Sequence, residues 1–246
     1  MAESGSMSGI PFITTDQMRE VDRAMIEDYA IMLLQMMENA GRELADLART
    51  RFLDSDPRGR RVEVLAGPGG NGGGGLVCAR RLLGWGADVS VRMSVDATRL
   101  TDAARHQHDI LRRFGVPIRT PGDNAGLGPA DLIVDALIGY SLRGAPRGEA
   151  ATLIRQANAA DAPVLALDVP SGIDAASGDI HDPSISAQAT MTLALPKVGL
   201  HGAAARKQVG ELYLADVGVP RELYEQPPLN LTVGPIFARE GVVRLW

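Results

Sequence analysis

Apolar positions along this chain alternate between two periods. Met18, Val21 and Met25 recur at helical spacing behind Thr14-Thr-Asp-Gln17, a capping box that opens a helix running to about Tyr29. Leu33, Met36, Met37, Ala40, Leu44 and Leu47 form a second stripe and predict a helix from about Ile31 to Thr50. A polar Pro/Gly linker, 54–60, leads into Val62–Ala66, an apolar run of strand length. The helical period resumes at Leu76, Val77, Ala79, Leu82 and Leu83. Further strands are predicted at Asp88–Met93, Val116–Arg119, Asp131–Ile138, Val164–Leu167, Ala189–Leu195 and Glu211–Ala215, with helices around Thr101–Phe114 and Glu149–Ala160. Asp131–Ile138 is almost continuously apolar, as a central parallel strand is. Strands alternating with helices predict an α/β fold: one domain whose mainly parallel sheet is covered on both faces, preceded by two N-terminal helices.

Between Ala66 and Leu76 lies a stretch with seven glycines, read as a loop between strand and helix start. Glycines allow backbone N–H groups to approach a polar ligand, and a helix N-terminus adds partial positive charge. Gly67, Gly69 and Gly72 match a dinucleotide-binding spacing. The acidic residue that fingerprint needs about twenty positions on is misplaced, because Asp88 opens the next apolar run instead of closing it. No Lys follows the glycines, so a nucleotide-phosphate loop of the G-x-x-x-x-G-K type is excluded. Asn71 is the one functional side chain here, and the chemistry has to come from other strand ends.

Ligands of such sheets sit beyond the carboxyl ends of the strands. Arriving there are Asp135 with the loop 139–145, Asp168 with Pro170-Ser-Gly172, and Pro196-Lys-Val-Gly-Leu200. A carboxylate at the tip of a hydrophobic strand is costly to bury without a partner, so Asp135 and Asp168 are candidate functional groups. Ser171 lacks the G-x-S-x-G context of a nucleophile elbow. His106 and His108 fall on a polar helix face, His181 lies in a loop and His201 follows Pro196–Leu200; none has zinc-site spacing, and all four read as solvated.

Composition narrows the partners. Aromatics are only 4% and the net charge is −5, which argues against a base-stacking platform and against attraction to nucleic acid or anionic membranes. No run approaches the roughly 20 apolar residues of a membrane span. Cys78 stands alone, so no internal disulfide forms and a reducing cytoplasm is expected; its apolar neighbours mark it as a small core residue. Residues 1–9 are Ser/Gly-rich and read as a disordered tail, 10–226 as the domain, and 227–246 as a C-terminal extension packed on it. Leu229, Leu231 and Val233 alternate there, suggesting an edge strand or a lid.

The segments together resemble the YjeF N-terminal domain family, the NAD(P)H-hydrate epimerases. The family's G-P-G-N-N-G-G-D-G is here Gly-Pro-Gly-Gly-Asn-Gly-Gly-Gly-Gly (67–75), and its D-x-I-V-D-A-L-F-G is close to Asp131–Gly139. D-I-P-S-G matches Asp168–Gly172, P-K-x-G-L is Pro196–Leu200, and D-x-G-I-P is echoed by Asp216–Pro220. The resemblance implies a three-layer α/β/α Rossmann-like sandwich, usually a homodimer. It implies a small-molecule substrate, NADH or NADPH hydrated at C6 of the nicotinamide ring, whose R and S forms are interconverted for repair. By position, Asn71, Asp135 and Ser171 would hold K⁺. Gly70, Asn71, Gly72, Gly73 and Gly74 would contact substrate, as would Gly139, Tyr140, Ser141, Leu142, Arg143, Gly144, Ala145 and Asp168, with Asp168 as acid/base.

The departures are Gly70 and Gly74, where the family carries Asn and Asp. They leave two alternatives beside the epimerase: a pocket turned to another elimination, addition or cyclisation, or a catalytically silent dimeric scaffold.

Overall fold

The computed structural model describes residues 9–123 and 126–246, so the tail expected over 1–9 lies outside the described residues except for Gly9. The chain opens with two helices, α1 (Thr15–Glu27) and α2 (Leu33–Phe52). The capping box at the start of α1 forms: Gln17 N donates to Thr14 Oγ1 at 3.2 Å, and Thr14 N to Gln17 Oε1 at 2.9 Å. The next elements are β1 (Arg61–Ala66), α3 (Gly70–Gly84), β2 (Asp88–Met93), α4 (Asp102–Arg113), β3 (Ile118–Arg119) and β4 (Leu132–Ala136). After them come α5 (Gly148–Ala159), β5 (Val164–Leu167), β6 (Ala189–Leu193), α6 (Ala203–Val209), β7 (Glu211–Ala215), α7 (Arg221–Glu225) and β8 (Val242–Arg244).

One eight-stranded sheet runs in the order β3-β2-β1-β4-β5-β6-β7-β8, parallel throughout except for the antiparallel β7–β8 pair. The direction of winding reverses between β1 and β4. Strand alternation separates the two faces. Val62, Val64, Leu132, Val134 and Leu165 pack with α2, α3 and α4 on one side, while Leu65, Ile133 and Ala166 pack with α5 on the other. Helix α6 covers the β7 end through Ala205 and Val209. These are the three layers that the alternating pattern requires. No helix among the described residues is long and apolar enough to cross a membrane.

The glycine stretch is the main correction. Helix α3 starts at Gly70, six residues before the helical period becomes visible, so Gly70–Gly75 belong to the helix. Their missing side chains let the helix sink against its neighbours. A Cβ on Gly75 would lie 2.4 Å from Ala136 Cβ, and one on Gly73 would lie 2.7 Å from the Met37 sulfur. Gly41 of α2 completes the fit, since its Cβ would meet Val77 Cβ at 2.4 Å and Gly74 O at 2.6 Å.

Smaller differences have equally local causes. Strand β6 ends at Leu193 because Ala194 turns left-handed at φ +62°. His108 is buried, because the polar face of α4 packs on a network in which Glu38 accepts from Arg80, Arg81 and Gln107. Leu229 and Val233 are buried without forming a strand; the edge strand of the extension is β8, on β7. Cys78 is fully buried, and burial pushes its thiol pKa up, as a core role requires.

Gly41→Ala and Gly84→Ala should therefore move stability in opposite directions. Ala is about 1 kcal/mol better than Gly by helix propensity alone, and at Gly84 nothing lies within 4 Å of an added Cβ. At Gly41 overpacking, typically about 1–3 kcal/mol, outweighs that gain. Thermal melts should show Gly84→Ala at or above wild type and Gly41→Ala below it; a raised melting temperature for Gly41→Ala would refute the packing account.

Candidate active site

Where the strand order reverses, the ends of β1 and β4 leave the sheet side by side. Gly67 N donates to Ala136 O at 3.0 Å, and a Cβ on Gly67 would stand 1.8 Å from Leu137 O, so only glycine fits this exit. Helix α3 then starts without a side-chain cap. Nothing lies within 4 Å of a Cβ added at Gly69 or Gly70, and the first-turn N–H groups of Gly70, Asn71 and Gly72 have no acceptor among the described residues. They border a cavity of about 280 Å³, walled by Gly70, Asn71 and Gly74 on one side and by Gly139, Tyr140 and Ser141 on another. Asp168 and Lys197 enter it from the ends of β5 and β6, and Asp22, Met36 and Met37 roof it from α1 and α2.

The floor of the cavity is an ion pair. Lys197 is fully buried, and its Nζ donates to Asp168 Oδ1 at 2.5 Å, Leu193 O at 2.8 Å and Thr192 Oγ1 at 3.3 Å. The other Asp168 oxygen, Oδ2, accepts from Tyr140 N at 3.0 Å. All three ammonium protons are thus engaged, which is what a buried cation needs to remain tolerable. Two residues here are in left-handed backbone, Asp168 (φ +66°) itself and Ala194 (φ +62°), which follows Leu193. Such conformations cost of order 1–3 kcal/mol each and concentrate at functional sites.

A second carboxylate lies beneath. Asp135, fully buried within β4, accepts from Ser171 N at 2.8 Å, Ser171 Oγ at 2.7 Å and Leu137 N at 3.1 Å. Among the described residues no cationic side chain pairs with it, and burial outweighs these hydrogen bonds to push its pKa up to about 6. Asn71 and Asp168 converge over Gly139, where an added Cβ would sit 3.2 Å from Asn71 Oδ1 and 3.1 Å from Asp168 Oδ2. Asn71 Nδ2 is buried without a partner. Carboxylate, hydroxyl and amide oxygens suit a hard cation, and Asp135 offers a buried carboxylate without a cationic partner while Asn71 offers a buried amide left unsatisfied at Nδ2.

Of the residues picked out in the sequence, Gly70, Asn71, Gly74, Gly139, Tyr140, Ser141 and Asp168 line this one cavity. Gly72 and Gly73 do not: a Cβ on Gly72 would strike Gly67 O at 1.9 Å, and Gly73 faces Met37. Leu142, Arg143, Gly144 and Ala145 also lie off its wall. Asp135 and Ser171 pair below it.

Lys197 and Asp22 were not singled out in the sequence, although each carries a signal. Lys197 is one of only two lysines in a chain otherwise supplied with arginine, and it stands in an apolar run. Asp22 occupies a stripe position, four residues after Met18. A smaller cavity of about 210 Å³ lies between α7 and the C-terminal segment, bordered by Asp216, Arg221 and Phe237. It contains neither the ion pair nor the open helix end.

Residues 33–199 match the family described as YjeF-related protein N-terminus. An NAD(P)H-hydrate epimerase from Dehalogenimonas lykanthroporepellens is 43% identical over 226 residues, 92% of this chain and 89% of that protein. One from Rhodopirellula baltica is 34% identical over 220 residues, covering 88% of each. A bifunctional NAD(P)H-hydrate repair enzyme from Moorella thermoacetica is 34% identical over 225 residues, 89% of this chain but 42% of that protein. Among solved structures, yeast ynu0 superposes with a TM-score of 0.81 at 25% identity, over 96% of this chain and all of that one. With its sheet, its uncapped glycine helix and its strand-end carboxylates in place, this chain belongs to the YjeF N-terminal family.

Proposed function

We propose that this pocket interconverts the R and S forms of hydrated NADH and NADPH. The observation that carries the reading is the convergence, in one cavity, of an uncapped helix N-terminus and a buried carboxylate. The open N–H groups of α3 suit the pyrophosphate of a dinucleotide. At about 280 Å³ the cavity is small beside the roughly 300–1,000 Å³ of ligand sites, so it admits the nicotinamide end and leaves the rest at its mouth. Epimerisation at C6 requires a proton delivered to the departing hydroxyl and one removed from the returning water. Asp168, oriented by Lys197 and by Tyr140 N, serves as acid/base for this exchange.

K⁺ belongs to the proposal, held by Asn71, Asp135 and Ser171. When bound, it supplies the positive charge that Asp135 lacks within the protein. A homodimer is also part of the reading, supported by exposed Ile26, Tyr29, Met32 and Leu33 at the α1–α2 turn. A pocket enlarged for a bulkier substrate gains no support at Gly74, because a Cβ there would already stand 2.9 Å from Leu167 Cδ2.

Asp168→Asn should lower the rate of epimer interconversion, followed by chromatography of the resolved hydrates, by about 10²–10⁴-fold. It should also cost about 3–5 kcal/mol of stability, because Lys197 is left as an uncompensated buried charge. The double variant D168N/K197M should regain the stability and stay inactive; activity returning with stability would sink the acid/base role.

Replacing K⁺ by tetramethylammonium should lower the melting temperature of wild type. With K⁺ at a hundred times its Kd the linkage is worth about 2.7 kcal/mol, or roughly 5–10 °C at this chain length. Asp135→Asn should be indifferent to the exchange. Identical wild-type melts in the two salts would remove K⁺ from the site.

A further inference from the structure

Four titratable side chains line the cavity: Asp22, Tyr140, Asp168 and Lys197. Two of them are fully occupied with each other and with their surroundings. Lys197 spends its three protons on Asp168, Thr192 and Leu193, and both Asp168 oxygens accept protein hydrogen bonds, from Lys197 and from Tyr140 N. Every hydrogen bond that the Asp168 carboxylate makes is one it accepts, the surroundings of a group that takes a proton from a substrate. Gly74 offers no side chain at all.

Asp22 differs on each point. It hangs from α1 into the cavity roof, its Oδ2 accepts from the Tyr140 hydroxyl at 2.6 Å, and its Oδ1 has no hydrogen-bond partner among the described residues. Tyr140 therefore touches both carboxylates, Asp168 through its backbone N–H and Asp22 through its ring oxygen.

We propose that Asp22 is a second catalytic carboxylate, the proton donor that faces Asp168 across the reacting ring. The inference rests on the epimerase reading and divides its chemistry between two groups. The N1 lone pair forms the N1=C6 bond as the C6–O bond breaks, and the departing oxygen takes the Asp22 proton and leaves as water. The ring is then a cyclic iminium, flat at C6. Water adds to the opposite face: its oxygen forms the new C6–O bond, the π pair returns to N1, and its spare proton passes to Asp168. Exchange with solvent at the pocket mouth restores both carboxyl groups, and the reverse reaction exchanges their roles.

The electrostatics agree with a donor role. Burial raises the Asp22 pKa, Asp168 adds to that rise, and the Tyr140 hydrogen bond and Lys197 oppose it. Burial likewise raises the Tyr140 pKa, with Asp22 and Asp168 adding to it and Arg19 of α1 lowering it; Tyr224 of α7 also feels the Asp22 charge. Asp22 is thereby shifted toward the protonated form that a proton donor needs.

The test uses the full chain and resolved hydrate epimers. Asp22→Asn should lower kcat by about 10²–10³-fold while KM stays within about threefold, and added formate should restore part of the rate. Asp22→Glu should retain more activity than Asp22→Asn. Tyr140→Phe should lower turnover less and move the alkaline limb of the kcat/KM profile to higher pH. The sign follows because the donor lost in that variant holds the Asp22 pKa down, and an acid stays active until pH passes its pKa. A thermal melt accompanies each variant, and if Asp22→Asn folds poorly the Glu and Phe variants decide. An active wild type with Asp22→Asn within about threefold of its kcat would overturn this inference alone. So would a loss that formate does not rescue, combined with an unmoved alkaline limb in Tyr140→Phe. A wild type that does not accelerate interconversion, with Asp168→Asn no different, overturns the epimerase reading and this inference with it.

Discussion

The structure depends on how closely α3 approaches the sheet and α2. Five of its first six residues are glycine, and each costs about 1 kcal/mol in helix propensity relative to Ala. A helix opening that way would not form on its own, so tertiary packing must offset roughly 5 kcal/mol of local disadvantage. The packing is available because the side chains are missing: Gly75 rests on Ala136, Gly73 on Met37, and Gly41 on Val77. One arrangement therefore sets both fold and site. The contacts that seat α3 over β1 and β4 also aim its uncapped end into the cavity.

Much of this was legible before any coordinates. Three strands, Asp88–Met93, Val164–Leu167 and Glu211–Ala215, keep the bounds that the hydrophobic pattern assigned, the first through the alternation of Val89, Val91 and Met93 and the second as an unbroken apolar run. The carboxylates were visible for the same reason, as charges interrupting or ending those runs. The glycine helix was not, since local preference reads such a stretch as a loop and only neighbours absent from the local window reverse it. Asp22 was hidden inside a stripe that otherwise read as core. Lys197 lay within a motif whose backbone drew notice, while the buried role of its ammonium depends on Asp168, 29 residues earlier.

The two deep carboxylates are handled in opposite ways. Asp168 is neutralised within the chain by Lys197 and needs no outside charge. Asp135 has hydrogen bonds but no cation among the described residues, and burial raises its pKa. The Asp168–Lys197 pair is thus self-contained, while Asp135 is left without a counter-charge among the described residues. Ser171 ties the levels together, since its hydroxyl donates to Asp135 and accepts from Ile138 N at 2.9 Å, the residue before Gly139.

The ends of the sheet carry a consequence of another kind. A parallel sheet of this size exposes two open edges, each able to template pairing with another chain. Here β3, at one end, is only two residues long. At the other end β8 runs antiparallel along β7, stops after three residues, and presents Arg244, whose guanidinium pairs with Glu211 at 3.2 Å. The long apolar strands are all interior, and the rims are too short or too charged to recruit a partner strand. Strand β8 of the C-terminal segment thus acts as a hem that stops the sheet from growing into an aggregate.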